Sequence, residues 1–269
     1  MSQKTLEKQS LLSSWESDEK LNDVDVVDSA RNIKQKEAQV LQFNTQNGTQ
    51  QVTIHGDLSS KLPIILTYPD IGITHHGCFD PFFNMVTSYE SIFEYFVIVH
   101  IDPPGNHYNA ELKKKAGIES FDFESLSDDI YDLISKQLKI DWKTRALIAF
   151  GIGSSCSLWT KLANTHPSLL RGMVLINPIA DVASWKEWAF DKALQWTEHN
   201  KTGEYVKSIF WGSLLPRYFP TLIDVETSEE LRQSFYQEFA KLNEDNVMKY
   251  FKGYLRRKEI TLQDLKNIK

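Results

Sequence analysis

The sequence predicts an α/β protein whose sheet is mostly parallel. Three apolar runs are nearly continuous, as expected for parallel strands that helices cover on both faces: Tyr95–Asp102, Ala146–Phe150 and Gly172–Asn177. An amphipathic segment lies between the second and third runs and ends before Pro167. Strand, helix and strand in this order are typical of a doubly wound sheet with right-handed crossovers.

Two further strands are predicted nearer the amino terminus. Gln51–His55 and Leu62–Tyr68 are rich in β-forming residues, and the turn residues Gly56 and Asp57 separate them. With 269 residues, of which 41% are hydrophobic, the chain is long enough to bury one sizeable core.

A helix is predicted to begin at Ser125, where Ser125 and Asp128 have the spacing of a capping box. Apolar residues then recur at helical spacing: Leu126, Ile130, Leu133, Ile134 and Leu138.

After Asn177 the alternation stops, and helices are predicted to form a cap over the sheet. Three aromatic and aliphatic stripes are interpreted as core: Trp185, Trp188, Ala189 and Trp196; Leu231, Phe235, Phe239 and Leu242; Val247, Tyr250, Phe251, Tyr254 and Leu255. The predicted organisation is therefore a polar tail over residues 1–36, a core over 37–180 and a cap region over 181–269.

Composition excludes several classes of function. The formal net charge is −6, which provides no basic surface for nucleic acid. Two cysteines are too few for a disulfide scaffold or a zinc site, and we expect no metal and no cofactor. No run resembles a signal peptide or a membrane span, so a cytoplasmic location is predicted.

The turn after the fourth predicted strand reads Gly151-Ile152-Gly153-Ser154-Ser155. α/β-Hydrolases place their nucleophile at such a strand-to-helix turn, in the pattern G-x-S-x-G. Because the glycines fix the register, the nucleophile position falls on Gly153. Glycine has no atom that can attack an acyl carbon, so the sequence predicts no catalytic residue and a protein that is not an enzyme. Ser154 is expected to start the next helix and to cap it.

One alternative keeps a serine hydrolase, with Ser154 as a displaced nucleophile, Asp181 as acid and His199 as base. The order along the chain is correct. His166 is excluded as the base because it lies roughly 18 Å along the same helix.

The remaining histidines are expected to have no catalytic role. Adjacent His75 and His76 are interpreted as exposed loop residues, and His55, His100 and His107 as ordinary polar residues. The glycines of the turn lack the third member of a dinucleotide fingerprint.

Several stretches together resemble the NDRG (N-myc downstream-regulated) family, a non-catalytic branch of the α/β-hydrolase fold. The stretches that carry the resemblance run in order from about Val52 to Lys258: Ile65–Gly72, Cys78–Phe79, Pro81–Asn84, His100–Gly105, Gly151–Gly153, Gly172–Asn177, Trp185–Ala189 and Tyr254–Arg257. The resemblance implies an α/β-hydrolase-like sheet with a helical cap and a cytoplasmic role in signalling, stress response or differentiation, through protein partners. Pro69 departs from the family, which usually has histidine there.

The resemblance also implies that the fold is truncated at its carboxyl terminus. Relatives follow the cap with two more strands, whereas residues 259–269 end where the next strand is expected. The last strand, near Val174, is then a predicted aggregation site. A pocket for a small apolar ligand is predicted from the fold between sheet and cap, lined by Asp70, Ile71, Gly72, Gly153 and Ser154.

Overall fold

The computed structural model describes residues 38–84, 92–110, 121–182, 184, 187–189, 192, 233 and 237–268. The predicted polar tail lies outside the described residues, as do Trp185, Trp196, His199, Leu231 and Phe235. The proposed division into core and cap at residue 180 stays a prediction.

Six strands form one sheet in the order β1-β2-β4-β3-β5-β6. They are β1 Gln39–Thr45, β2 Gly48–His55, β3 Ile64–Tyr68, β4 Val97–Ile101, β5 Leu147–Ile152 and β6 Gly172–Ile176. Strands β3 to β6 pair in parallel, while β1 and β2 form an antiparallel hairpin whose second strand pairs with β4. The predicted mostly parallel sheet is confirmed, and β1 is a strand that the sequence did not predict.

Helices cover both faces of this sheet. They are α1 His75–Asn84, α2 Ile92–Tyr95, α3 Phe123–Asp132, which continues as a π-helix over Leu133–Gln137, α4 Ser155–Thr165, α5 Glu244–Leu255 and α6 Leu262–Asn267. The predicted cap of α3 at Ser125 is wrong, because the capping residue is Asp122, three residues earlier, whose carboxylate accepts from the Ser125 backbone N–H.

Alternating residues of the strands separate two apolar layers. Val97 and Val99 of β4 belong to the larger core, together with residues of α3, α4 and α5. Ile98, the residue between them, belongs to a smaller core with Phe79 and Phe83 of α1. Every residue of β3 and β4 is buried, which explains why β4 reads as a continuous apolar run.

Among the described residues, β6 is one of the two edge strands and pairs only with β5, while β1 forms the other edge. Val174 is 49% exposed and Ile176 is 42% exposed. Trp188, which follows, is 60% exposed, so its assignment to the core was wrong. Helical spacing alone does not show which face of a short segment meets the protein.

The exposed edge predicts aggregation that a charge on β6 suppresses. We expect Val174→Lys to slow aggregation, measured by light scattering, because a lysine on an edge strand opposes pairing with a second edge. Leu265→Lys is the matched control, since Leu265 is 48% exposed on α6 and the substitution adds the same charge away from the sheet. Equal effects of both variants would assign the change to net charge and contradict a role of the edge.

Candidate functional site

The turn after β5 has the geometry of a nucleophile elbow, with glycine at its apex. Gly153 follows β5 directly, adopts a φ of 60° and donates its N–H to the Ile176 carbonyl oxygen at 3.0 Å. A Cβ on Gly151 would lie 2.5 Å from Cδ1 of Trp159, so helix α4 packs too closely to allow a side chain there. The two glycines therefore permit the strand-to-helix turn, and the apex carries no reactive atom.

Ser154 is the residue before α4, but its hydroxyl does not cap the helix. The hydroxyl lies 3.1 Å from the hydroxyl of Tyr250 on α5, and the side chain of Ser154 is completely buried. The expected capping role is thus wrong, because Tyr250 offers a partner that lies 96 residues away in the chain.

The loop after β3 closes the other side of the turn. The Asp70 carboxylate accepts from the Ser154 backbone N–H at 2.9 Å, and Asp70 and Ile71 are both buried. The Ser154 N–H corresponds in position to an oxyanion-hole donor, the N–H after the nucleophile. Here a carboxylate of the protein itself occupies that donor.

Aromatic side chains fill the space above the sheet at this point. Tyr250 stacks on Phe123 with ring centroids 5.6 Å apart, and Tyr68 lies between Tyr250 and Trp159 at 6.1 and 6.4 Å. Burial raises the pKa of Tyr68 well above its ordinary value, so its hydroxyl stays neutral. The five residues predicted to line a ligand pocket, Asp70 to Gly72 with Gly153 and Ser154, come together here and are buried.

Of the alternative triad, Ser154 and Asp181 lie among the described residues, and no hydrogen bond joins them there. Asp181 is exposed, and its carbonyl oxygen accepts from Nε of Arg257 at 3.0 Å. His199 lies outside the described residues. His166 follows the end of α4 and stacks on Tyr131 with ring centroids 3.7 Å apart. Within the described residues, the side-chain partner of the Ser154 hydroxyl is therefore the hydroxyl of Tyr250 and not a histidine.

Neither cysteine supplies a substitute nucleophile. Burial raises the pKa of the Cys78 thiol to about 12, and Cys156 is buried with Sγ 3.5 Å from the Ile176 carbonyl oxygen. The Cys78 thiol is therefore held away from the thiolate state that reacts, and burial keeps Cys156 away from substrate.

A second polar cluster lies on the α1 face of the sheet, at the end of β4. His75 is completely buried, which makes its assignment as an exposed residue wrong. The Asp102 carboxylate accepts from the His75 backbone N–H at 2.9 Å and pairs with its Nδ1 at 2.7 Å. The His75 ring stacks on His100, whose Nδ1 lies 2.7 Å from the Thr67 hydroxyl.

The histidine cluster contains four rings: His55, His75, His76 and His100. Ring centroids are 5.3 Å apart for His55 and His100, 4.8 Å for His100 and His75, and 3.9 Å for His75 and His76. His100 is almost completely buried, whereas His76 is exposed and pairs with Asp80. The interpretation of His100 as an ordinary polar residue missed this cluster, because its members come from three segments of the chain.

The cluster predicts a loss of stability below about pH 6.5. Burial, followed by the neighbouring histidine charges, lowers the pKa of His100 well below its ordinary value, and burial also lowers that of His55. The unfolded chain then binds more protons than the folded chain, so the free energy of unfolding decreases as the pH falls through the unfolded pKa. We expect the urea midpoint to fall between about pH 7 and 5.5.

His100→Gln is expected to remove most of this pH dependence, since glutamine can still bond to Thr67. His76→Gln is the control. The hydrogen bond of His76 to the Asp80 carboxylate raises the pKa of His76, so protonation of His76 stabilises the folded chain at low pH, which is opposite to the effect of His100. If the urea midpoint of His100→Gln fell with pH as much as that of the unaltered protein, the pH dependence would not arise from His100.

No group of three or more metal-binding side chains is found within the part of the chain that the structure describes. Across the same residues, no helix has the length and apolar character needed to cross a membrane.

The sheet order and the turn after β5 define an α/β-hydrolase fold. Two solved structures are similar to this chain in fold. An enol-lactonase from Burkholderia xenovorans LB400 has a TM-score of 0.64 at 16% identity, covering 85% of this chain and 78% of that chain. A carboxylesterase from the thaumarchaeon Nitrososphaera gargenis has a TM-score of 0.57 at 17% identity, covering 84% and 75%.

Within this fold, the chain belongs to the Ndr family, whose model matches residues 40–268. Protein NDRG1 of Xenopus tropicalis is 28% identical over 82% of this chain and 52% of its own length. Protein NDRG2 of Bos taurus is 28% identical over 80% of this chain and 56% of its own length. An NDRG-like protein of Dictyostelium discoideum is 28% identical over 79% of this chain and 62% of its own length. The predicted family is confirmed, and the chain spans about half the length of these relatives.

Proposed function

We propose that this chain is an enzymatically silent α/β-hydrolase-fold protein that acts by binding other proteins in the cytoplasm. The observation that carries the proposal is Gly153, which occupies the nucleophile position with a φ of 60°. Covalent acyl transfer needs a side-chain nucleophile at this apex, and glycine has none. Signalling, stress response and differentiation are the roles that family membership suggests for the binding.

The surroundings of the apex support the same proposal. The Asp70 carboxylate holds the Ser154 N–H, which a hydrolase would use to stabilise an oxyanion. A carboxylate at that position repels a developing negative charge instead of stabilising it. A small apolar ligand between sheet and cap is also part of the proposal, with Asp70, Ile71, Gly72, Gly153 and Ser154 as its contacts. Its entry requires the aromatic side chains of Tyr68 and Tyr250 to move from the positions that they occupy in this structure.

A serine hydrolase built on Ser154, Asp181 and His199 is the alternative that the proposal must exclude. It requires the Ser154 hydroxyl to leave Tyr250 and to become accessible to substrate, although Ser154 is completely buried. The chain spans about half the length of its relatives. The proposal therefore also covers a longer protein that contains this chain, with its activity and its partners.

The test is intact-mass spectrometry of the protein from its native source, before and after reaction with a fluorophosphonate that labels activated serines. We expect no mass change, while an active serine esterase in the same tube becomes fully labelled. Labelling by one phosphonyl group that Ser154→Ala abolishes, and that the exposed control Ser184→Ala retains, would establish the alternative.

The binding role is tested separately by size-exclusion chromatography of a native extract. We expect the protein to elute in a complex larger than its own mass of 31.1 kDa and to return to that mass in high salt or detergent. Elution as a monomer under all conditions would contradict a role carried out through stable partners.

A further inference from the structure

A groove of about 470 Å³ lies at the end of the sheet opposite the elbow, and we call it the basal groove. It is lined by residues 58–61, 138–141, 144 and 145, which belong to the loops that precede β3 and β5. The elbow follows β5, so the basal groove is separate from the site described above. Its volume is in the range of pockets that bind small molecules.

Arg145 organises this groove. Its Nη1 donates to the Leu58 carbonyl oxygen at 2.7 Å, its Nη2 to the Ser60 hydroxyl at 3.3 Å, and its Nε to the Leu62 carbonyl oxygen. Three of the five guanidinium N–H groups therefore hold the loop before β3, and each terminal nitrogen keeps one N–H that these contacts do not use. The guanidinium is a fixed and partly buried fork.

The lining carries an excess of positive charge in a chain whose net charge is −6. Three cations, Lys61, Lys139 and Arg145, face one acid, Asp141. The Asp141 carboxylate accepts from the Thr144 hydroxyl at 2.8 Å and from the Lys143 N–H at 3.2 Å, so local bonds satisfy it. Partial burial lowers the pKa of Arg145, and the nearby Asp57 opposes this shift. The Asp57 carboxylate also accepts from the Ser59 N–H at 2.8 Å.

Lys139 lies at the groove in a backbone conformation that lysine rarely adopts. Its φ is 52°, and it follows Leu138, the residue that caps the π-helix. Glycine or asparagine is the usual choice at such a position, because the left-handed region strains a residue with a longer side chain. A lysine here costs stability and adds a positive charge beside Arg145.

We propose that the basal groove binds a small phosphate ester. The two N–H groups of Arg145 that the loop leaves unused, one on each terminal nitrogen, can donate to phosphate oxygens, and Lys61 and Lys139 add positive charge around the same volume. The groove exceeds the size of one phosphate group, which leaves room for a sugar-sized substituent. The proposal is independent of whether the elbow is catalytically silent.

The test is isothermal titration of the full chain with glucose 6-phosphate at constant ionic strength, with glucose as the uncharged counterpart. We expect glucose 6-phosphate to bind and glucose not to bind. Lys139→Gly is expected to weaken binding by about fivefold or more, because it removes one of three cations. The same variant should keep or raise the thermal unfolding temperature, because glycine accepts a positive φ without strain.

Lys136→Gln is the matched control. Lys136 is an exposed lysine of the neighbouring π-helix that pairs with Asp132 and does not line the groove, so binding should stay unchanged. Absence of binding, or equal affinities of the unaltered chain and Lys139→Gly, would overturn the proposal. Binding of a serine-phosphorylated peptide without binding of glucose 6-phosphate would also overturn it in favour of a protein ligand.

Discussion

Replacing Asp102 with alanine is expected to lower the free energy of unfolding by about 3 kcal/mol or more. The Asp102 carboxylate accepts both the backbone N–H of His75 and its ring Nδ1, and both residues are buried. Alanine leaves two buried donors of His75 without an acceptor, and each unsatisfied group costs about 1 to 3 kcal/mol. Urea unfolding followed by circular dichroism measures the change.

Two variants separate this effect from a general loss of charge. Asp102→Asn keeps the shape and one acceptor oxygen, so a smaller loss of about 1 to 2 kcal/mol is expected. Asp80→Asn disrupts the exposed His76–Asp80 pair and should change stability by about 0.5 kcal/mol at most. If Asp102→Ala proved as mild as Asp80→Asn, the buried pair would have no structural importance.

Gly253→Ala is expected to destabilise the protein by about 3 kcal/mol, even though alanine stabilises a helix by about 1 kcal/mol relative to glycine. A Cβ on Gly253 would lie 2.0 Å from the Phe121 carbonyl oxygen, and the Phe121 N–H donates to the Lys249 carbonyl oxygen at 3.1 Å. The backbone before α3 thus contacts α5 directly, and α5 has to shift to admit a methyl group. Such a shift also moves Tyr250 away from Ser154.

Gly172→Ala provides the matched control, since a Cβ at the start of β6 meets nothing within 4 Å. Its effect on the free energy of unfolding should stay within about 0.5 kcal/mol. The comparison is made by urea unfolding, with near-ultraviolet circular dichroism reporting the environment of Tyr250. A neutral Gly253→Ala would show that the segment before α3 moves without cost.

The parallel part of the sheet was predictable because burial on both faces produces continuous apolar runs, as in β4. Strand β6 carries such a run although Val174 and Ile176 are exposed. Strand β1 escaped prediction for the opposite reason. Its residues alternate between exposed and half-buried and carry Gln39, Gln42 and Asn44, so the apolar signal is weak. Pairing with β2 across a short turn stabilises it, and this contribution comes from the partner strand.

The candidate site also has one part that the sequence predicts and one part that it does not. Gly153 was placed at the apex from sequence because glycine spacing reports a local backbone requirement. The contact of Ser154 with Tyr250, and that of His75 with Asp102, join segments that are distant in sequence. Polar residues carry no periodic signal that identifies their partners, so burial of His75 became visible only in the folded chain.

The order of strands in the sheet also determines how it is extended as the chain is synthesised. Once β4 has paired with both β2 and β3, the β1–β2 hairpin forms one end of the sheet with β1 as its edge, and β5 and β6 are added in turn beyond β3. The sheet therefore grows toward one side only. At each stage the unpaired edge strand on this side is apolar: first β3, then β5, then β6. A pause in translation therefore exposes an apolar edge that can pair with a strand of another chain.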